Sequence, residues 1–344
     1  SGSGMKPLAT EQLPSFHIQT FGCQMNVCDS NWLSQALQSR GWRAVSEDEA
    51  DVILVNTCSV REKPEQKVYS LLGRLSRSRL DRPAPVVCVG GCVAQQVGTA
   101  FWGRFPQVRL VFGTDNVSLV PDSLEQVMED PDLRISLLDF MDHYPERESV
   151  WKNDRQPAQA FVNIMQGCDN FCTYCIVPYT RGRQKSRQSR AVLNECQDLV
   201  QAGVKEITLL GQNVNSYGQD RFGDGVRFPQ LLEGVCSIPG LSRVRFTTSH
   251  PKDIDPALIA AFGRFENLCP SLHLPLQSGS NSVLKRMGRR YSVEAYLEIV
   301  RDLRRACPNI VLSTDLIVGF PGEDESDFRQ TLVTMEEIGF DSSY

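Results

Sequence analysis

AFVNIMQGCDNFCTYC (160–175) is the stretch on which the fold turns. Its first part, AFVNIM (160–165), is short and apolar and predicts a buried strand. Immediately past it come Cys168, Cys172 and Cys175, a CxxxCxxC within eight residues. Three thiolates on one tight loop can hold three irons of a 4Fe–4S cube and leave the fourth iron open to a small chelating molecule. A closed zinc site asks for four ligands, usually paired CxxC or His. The chain has four His (17, 143, 250 and 273), and the nearest, His143, is 25 residues upstream of Cys168.

Downstream of that loop, strands and helices alternate with a regular beat. KEITLLG (205–211), LSRVRFTT (241–248), SLHLPL (271–276) and IVLSTDLIVGF (310–320) read as strands. Helices such as SRAVLNECQDLVQAG (189–203) and YSVEAYLEIVRDLRRA (291–306) fall between them. Five βα units predict a partial barrel of the TIM type over 159–344. The last helix, DESDFRQTLVTMEEIG (324–339), is followed only by FDSSY, so the barrel is expected to stop before its last strand. Ligands of such barrels bind at the carboxyl ends of the strands. That face carries Gln212, Ser249, His250, Leu274, Gln277, Ser278, Asp315, Val318 and Gly319. Gln212 reads either as a ligand contact or as a strand-end amide satisfying loop backbone. His250 reads either as a proton carrier or as a hydrogen-bonded structural histidine before Pro251.

Upstream, FHIQTFG (16–22), DVILVNT (51–57), PVVCVGG (85–91) and RLVFGT (109–114) predict four more strands. The helices between them include SNWLSQALQSRG (30–41) and REKPEQKVYSLLGRL (61–75). The chain is therefore α/β, with a parallel sheet over 16–130 ahead of the partial barrel. Residues 131–158 are rich in Asp, Glu, Pro and Arg and read as a linker, with the boundary near 155. Residues 1–15 read as an expression scar (Ser1-Gly2-Ser3-Gly4 before Met5) and a flexible N-terminus.

Cys23, Cys58 and Cys92 each lie just past a strand of the first sheet, separated by 34 and 33 residues. The carboxyl ends of parallel strands share one edge, where open α/β sheets bind ligands. These three read either as converging ligands or as buried small hydrophobes.

The chain has 344 residues, with 36 Lys and Arg against 41 Asp and Glu, a net charge of −5. That weighs against a protein coating nucleic acid non-specifically, though not against a local basic groove. Such a groove is suggested by Arg181, Arg183, Lys185, Arg187 and Arg190, directly after the cysteine loop. Lys285, Arg286, Arg289 and Arg290 form a second basic group, and Phe21 and Tyr179 could stack on an extruded base. No apolar run approaches the ~18 residues of a membrane span. Twelve cysteines without an export signal point to reduced thiols and a cytoplasmic location.

CxxxCxxC with an aromatic residue, Tyr174, before its last cysteine, after strand one of a partial barrel, resembles the radical S-adenosylmethionine enzymes. FGCQMNVCDS (21–30), NTCSVREKPEQKVYS (56–70), GGCVAQQ (90–96), GCDNFCTYCIVPYTRGR (167–183), LLGQNVNSYG (209–218), TTSHPKD (247–253), LHLPLQSGS (272–280) and STDLIVGFPGE (313–323) narrow the resemblance. Together they resemble the methylthiotransferase branch, in its MiaB-type, tRNA-modifying form, over about 16–340. Gln24-Met25-Asn26 stands where the ribosomal-protein branch typically has Pro-Lys-Asn.

The resemblance implies two 4Fe–4S clusters. One is on Cys168, Cys172 and Cys175 and binds S-adenosylmethionine; the other, on Cys23, Cys58 and Cys92, carries the sulfur to be transferred. It implies cofactor contacts at Tyr174, Ile176, Gln212, Ser249, His250, Leu274, Gln277, Asp315 and Val318. The implied reaction is 2-methylthiolation of N6-isopentenyladenosine 37 in a tRNA anticodon loop. It would need a one-electron reductant such as flavodoxin or ferredoxin, no membrane, and a monomeric enzyme. The basic run Arg181, Arg183, Lys185 and Arg187 would meet the tRNA. The family's C-terminal RNA-gripping TRAM domain is expected to be absent from this chain. Alternatives are action on a different tRNA adenosine, a non-catalytic iron–sulfur carrier, and a zinc-bound RNA-binding module.

Overall fold

Runs of consecutive apolar residues build the sheet of the first half, because a parallel strand covered on both faces needs no polar side. The structure, a computed structural model, describes residues 13–59, 64–76, 83–147 and 158–344. It divides into two compact units, Ser1–Leu138 and Asp139–Tyr344.

In the first unit the strands are β1 (Ser15–Thr20), β2 (Arg43–Ala44), β3 (Val52–Thr57), β4 (Val86–Gly91), β5 (Val108–Phe112) and β6 (Ile135–Leu137). The helices are α1 (Gln24–Ser39), α2 (Pro64–Leu75), α3 (Cys92–Val97), α4 (Ala100–Arg104) and α5 (Val120–Glu129). The strands form one sheet in the order β2-β1-β3-β4-β5-β6, every pair parallel. Alternate residues divide between its faces. Ile53, Val55, Val87 and Val89 pack with Val68, Leu72 and Phe101 on one side. Leu54, Cys88 and Leu110 pack with Leu33, Leu37 and Leu124 on the other. Each such aliphatic side chain contributes about 1.5–3 kcal/mol of burial, which fixes the sheet and therefore its carboxyl edge.

In the second unit the strands are β7 (Gln159–Asn163), β8 (Met165–Gln166), β9 (Lys185–Ser186), β10 (Glu206–Leu210), β11 (Arg243–Thr247), β12 (Ser271–His273), β13 (Val311–Thr314) and β14 (Ser342–Ser343). The helices are α6 (Val177–Thr180), α7 (Ser189–Gln201), α8 (Phe228–Cys236), α9 (Pro256–Arg264), α10 (Asn281–Arg286), α11 (Val293–Ala306) and α12 (Glu325–Ile338). Parallel ladders run β7-β10-β11 and β12-β13-β14, with a parallel bridge from Val244 to Leu268 between them. Strand residues such as Val162, Leu209, Val244 and Leu312 share one core with Val192, Leu231 and Leu303 of the surrounding helices. This is the expected partial barrel, and β8 with β9 form a small antiparallel pair at its mouth.

After α12 a sixth barrel strand begins where the sequence reading put it, Ser342 and Ser343 pairing in parallel with Ser313 and Thr314. Two boundaries differ from the sequence reading. The units divide at Leu138/Asp139 and not near 155. Within the supposed linker, β6 completes the first sheet, while Met141, Tyr144 and Glu146 pack on the second unit through Lys185 and Arg187. Helix α1 starts at Gln24, six residues before the stretch expected for it, which makes Cys23 its N-cap. The part of the predicted 61–75 helix before Pro64 lies outside the described residues, as do residues 1–12 and 148–157.

Candidate functional site

Cys23, Cys58 and Cys92 are brought together by sheet register. Thr57 pairs with Gly91, so Cys58 and Cys92 are the next residues on neighbouring strands, which lie about 4.8 Å apart. Thr20 pairs with Asn56, and Cys23 follows three residues later. Two glycines let the three ends close up. A Cβ on Gly22 would stand 2.7 Å from the Cβ of Cys58. A Cβ on Gly91 (φ 88°) would stand 2.3 Å from the carbonyl oxygen of Thr57. Asn26 ties the loops: its Nδ2 donates to Asn56 Oδ1 (2.9 Å) and to the Thr57 carbonyl (3.0 Å), and Cys23 Sγ donates to its Oδ1 (3.3 Å). Asn56 Nδ2 donates in return to the Asn26 carbonyl and to Ser30 Oγ, both at 3.0 Å. Cys58 and Cys92 are buried and Cys23 is half-buried.

Cys168, Cys172 and Cys175 are held by a different device. Gly167 (φ 79°) sits so close to Arg183 that a Cβ would be 2.1 Å from its carbonyl oxygen. The loop backbone is pinned from outside: Gly167 N donates to Gln212 Oε1 (2.7 Å), Cys168 N to the Gly182 carbonyl (3.2 Å) and Thr173 N to the Met287 carbonyl (3.1 Å). Within it, Phe171 takes a left-handed backbone at φ 48°. Burial pushes the Cys168 thiol up to about 11 and raises that of Cys175. Arg289 Nη1 lies 3.5 Å from Cys172 Sγ.

All twelve cysteines are thiols. Among the described residues no three His, Cys, Asp or Glu side chains close on a single ion position. A cubane makes a different demand, because each thiolate takes its own iron. Two sets of three thiols, each drawn together beside glycines that let the backbone pack closely, fit that demand. Of the other six, Cys88, Cys196 and Cys236 are buried and Cys28, Cys269 and Cys307 half-buried.

The strand ends around the second loop carry buried polar atoms without partners. They are Asn163 Oδ1 at the end of β7, Asn213 Oδ1 after β10, and Ser249 Oγ and His250 Nε2 after β11. Buried polar groups are seldom left unmatched, so these four atoms at the strand ends are the candidate contacts for a polar ligand. His250 accepts from Lys252 N at Nδ1 (3.2 Å), which puts its proton on Nε2. Burial first, then Arg289, Lys252 and Arg290, holds its pKa down to about 2. It is a neutral donor at physiological pH. Because unfolding takes up a proton there between about pH 6.5 and 2, its contribution to stability falls as pH falls through that window.

The remaining predicted cofactor residues separate. Tyr174 is partly exposed and meets Phe320 edge-on at 6.5 Å. Ile176 caps α6. Gln277 is buried with a left-handed backbone (φ 68°), and its N–H donates to the Asp315 carbonyl. Asp315 faces His273 Nε2 at 3.2 Å. Val318 is exposed on the loop after β13. Leu274 is a correction: its side chain belongs to the barrel core and its carbonyl accepts from the Tyr296 hydroxyl, so it is packing. Gln212 spends its side-chain oxygen on the cysteine loop.

The basic run is corrected more widely. Arg181, Lys185 and Arg187 are 3%, 2% and 8% exposed and cannot face a polyanion. Arg187 is paired with Glu146 (3.0 Å) and Glu195 (2.6 Å), and its guanidinium stacks on Tyr144. Lys185 donates to the Met141 carbonyl and lies over Phe140. Arg183 and Arg190 remain exposed, Arg183 beside Asp169 at 2.7 Å. Phe21 packs on the first core, while Tyr179 is exposed. The sequence reading missed Asn163 and Asn213 and placed Arg289 on the surface. The cue for the two asparagines was that one ends a barrel strand and the other lies three residues past one.

A three-thiol loop at the mouth of a partial (β/α) barrel, ringed by unmatched polar atoms, defines the radical S-adenosylmethionine class of enzyme. The family model described as Radical SAM superfamily matches residues 162–335, and Uncharacterized protein family UPF0004 matches residues 15–113. The chain is 60% identical over 330 residues to the tRNA-2-methylthio-N(6)-dimethylallyladenosine synthase of Nitratidesulfovibrio vulgaris, covering 96% of this chain and 74% of that one. It is 54% identical over 340 residues to the synthase of that name from Lawsonia intracellularis, with the same coverages. The methyltransferase TsrM of Kitasatospora setae shares the fold at TM-score 0.69 and 14% identity, covering 96% of this chain and 71% of that chain. The cobalamin-dependent enzyme OxsB shares it at 0.65 and 13%, covering 94% and 52%. The chain belongs to the radical S-adenosylmethionine methylthiotransferase family, among the tRNA-2-methylthio-N(6)-dimethylallyladenosine synthases.

Proposed function

We propose that the chain methylthiolates C2 of N6-isopentenyladenosine 37 in tRNA. The observation that carries this is the presence in one chain of two three-thiol cradles, one on a sheet edge and one on a barrel loop. In this reading Cys168, Cys172 and Cys175 hold one 4Fe–4S cluster, and Cys23, Cys58 and Cys92 hold a second. A cluster on the first set would supply one-electron cleavage of S-adenosylmethionine, and one on the second would supply the sulfur for transfer. C2 of adenosine is an unactivated aromatic position that acid–base groups do not open at neutral pH. No side chain therefore needs to act as a base.

The chain's own residues bind and position. Asn163, Asn213, Ser249 and His250 offer the carbonyl oxygens, hydroxyl and Nε2–H that meet the polar groups of S-adenosylmethionine. Gln212 keeps the cysteine loop in place through Gly167. Tyr174, Ile176, Gln277, Asp315 and Val318 border the adenine. Arg183 and Arg190 are left for phosphates, and Tyr179 for stacking on a base of the anticodon loop. The target must leave its stack to react, which an anticodon-loop nucleotide does at lower cost than a paired one. A one-electron reductant of the flavodoxin or ferredoxin kind, a monomeric state and a cytoplasmic location complete the reading. No helix among the described residues is long and apolar enough to cross a membrane.

The test is anaerobic reconstitution followed by incubation with dithionite, S-adenosylmethionine and an anticodon stem-loop carrying isopentenyladenosine. The expected products, by mass spectrometry, are 5′-deoxyadenosine, S-adenosylhomocysteine and 2-methylthio RNA. Cofactor cleavage with an RNA gaining hydrogen loss but no methylthio mass, after full iron loading, would overturn the assignment of the second cradle.

A further inference from the structure

Arg289 is a buried cation with no carboxylate partner among the described residues. It is 5% exposed. Its guanidinium spends one N–H on each of three acceptors: Nε on the Tyr291 hydroxyl (3.2 Å), Nη2 on the Pro275 carbonyl (3.2 Å) and Nη1 on Cys172 Sγ (3.5 Å). Tyr291 is itself fixed, its hydroxyl donating to the Leu276 carbonyl at 2.7 Å. The fork is therefore aimed before anything binds. Burying a guanidinium is costly unless a negative charge answers it. Neither neutral acceptor supplies that charge. The sulfur does, once it is a thiolate on iron.

We propose that Arg289 is a positioning residue that sets the reduction potential of the cluster on Cys168, Cys172 and Cys175. The inference rests on the cluster assignment of the preceding section. Adding one electron from an external low-potential donor makes the cluster one unit more negative, with no proton moved and no bond broken. A fixed cation hydrogen-bonded to one ligand sulfur favours that reduced form, since both the hydrogen bond and the Coulomb attraction strengthen as charge builds on sulfur. A lysine reaching the same place would keep the charge but lose the three-way fork that holds it on the sulfur.

The experiment isolates this cluster in the full chain by replacing Cys23, Cys58 and Cys92 with Ala. Arg289→Gln and Arg289→Lys are added separately. Iron and sulfide are counted, and the cluster is titrated against redox mediators by EPR. At a fixed potential the reduced-to-oxidised ratio is expected to fall at least tenfold in Arg289→Gln, about 59 mV for a one-electron couple, and by less in Arg289→Lys. Tyr291→Phe, which frees Nε, should shift it in the same direction by a smaller amount. A loaded Arg289→Gln protein with an unshifted titration overturns the proposal. So does loss of iron in both arginine variants with the fold retained by circular dichroism, because the arginine then only holds the loop. A background protein that binds no cluster at all would sink the cluster assignment itself, and the iron count separates that failure from the others.

Discussion

The two sets of three cysteines differ in what holds them. In the first unit the thiols come from three strand ends more than thirty residues apart, and their spacing is that of the sheet. In the second they come from eight residues of loop, pinned by Gln212, Gly182 and Met287 from elsewhere in the barrel. The first cradle is as rigid as a parallel sheet buried on both faces. The second is as rigid as the few hydrogen bonds that hold its backbone. Similar groups of three thiols are thus reached by long-range register in one case and by local spacing in the other.

The widest test of that comparison removes each set. Ala at Cys23, Cys58 and Cys92 should lower iron from about eight to about four per chain while S-adenosylmethionine cleavage survives. Ala at Cys168, Cys172 and Cys175 should lower iron equally and abolish cleavage. If both triples abolished cleavage, the cradles would not be independent. Next in size are the glycines. Gly91→Ala and Gly167→Ala each put a Cβ within 2.3 Å of a backbone oxygen at positive φ, a loss of on the order of 3 kcal/mol. Urea denaturation should show the first weakening the sheet unit and the second the barrel unit, with iron lost from the matching cradle only. Asn26→Ala breaks the tie between α1 and β3. It leaves Asn56 Oδ1 and a Thr57 carbonyl unsatisfied, about 2 kcal/mol by the same measurement. The smallest effect is expected for Gln212→Ala, about 1 kcal/mol, visible as faster loss of iron from the barrel cluster to a chelator. A Gln212 variant that instead lost affinity for S-adenosylmethionine at full iron would make that side chain a ligand contact.

The same contrast explains what could be read in the sequence. Cys168, Cys172 and Cys175 are legible because their spacing is local. The convergence of Cys23, Cys58 and Cys92 is legible only through the strands that precede them, and β3 and β4 are apolar enough to announce themselves. Arg187 was misread because its partners, Glu195 and Glu146, lie 8 and 41 residues away, and charge in a sequence carries no sign of burial. Arg289 is 117 residues from Cys172, and no local pattern joins them. The unit boundary was misplaced because β6 has three residues, too few for a periodicity, in polar surroundings.

The in-register exit of Cys58 and Cys92 from β3 and β4 has a consequence for engineering. The gap between those sulfurs is dictated by the distance between two hydrogen-bonded strands, and the length of the chain that joins them does not set it. The crossover on either side of α2 could be lengthened, shortened or cut and re-ligated elsewhere without moving either thiol, provided the ladder, Gly91 and the packing of Val68 and Leu72 on the sheet are kept. A three-thiol edge of this sort is portable: grafted onto another parallel sheet with the same two strand endings and a third from the neighbour, it would carry its geometry with it.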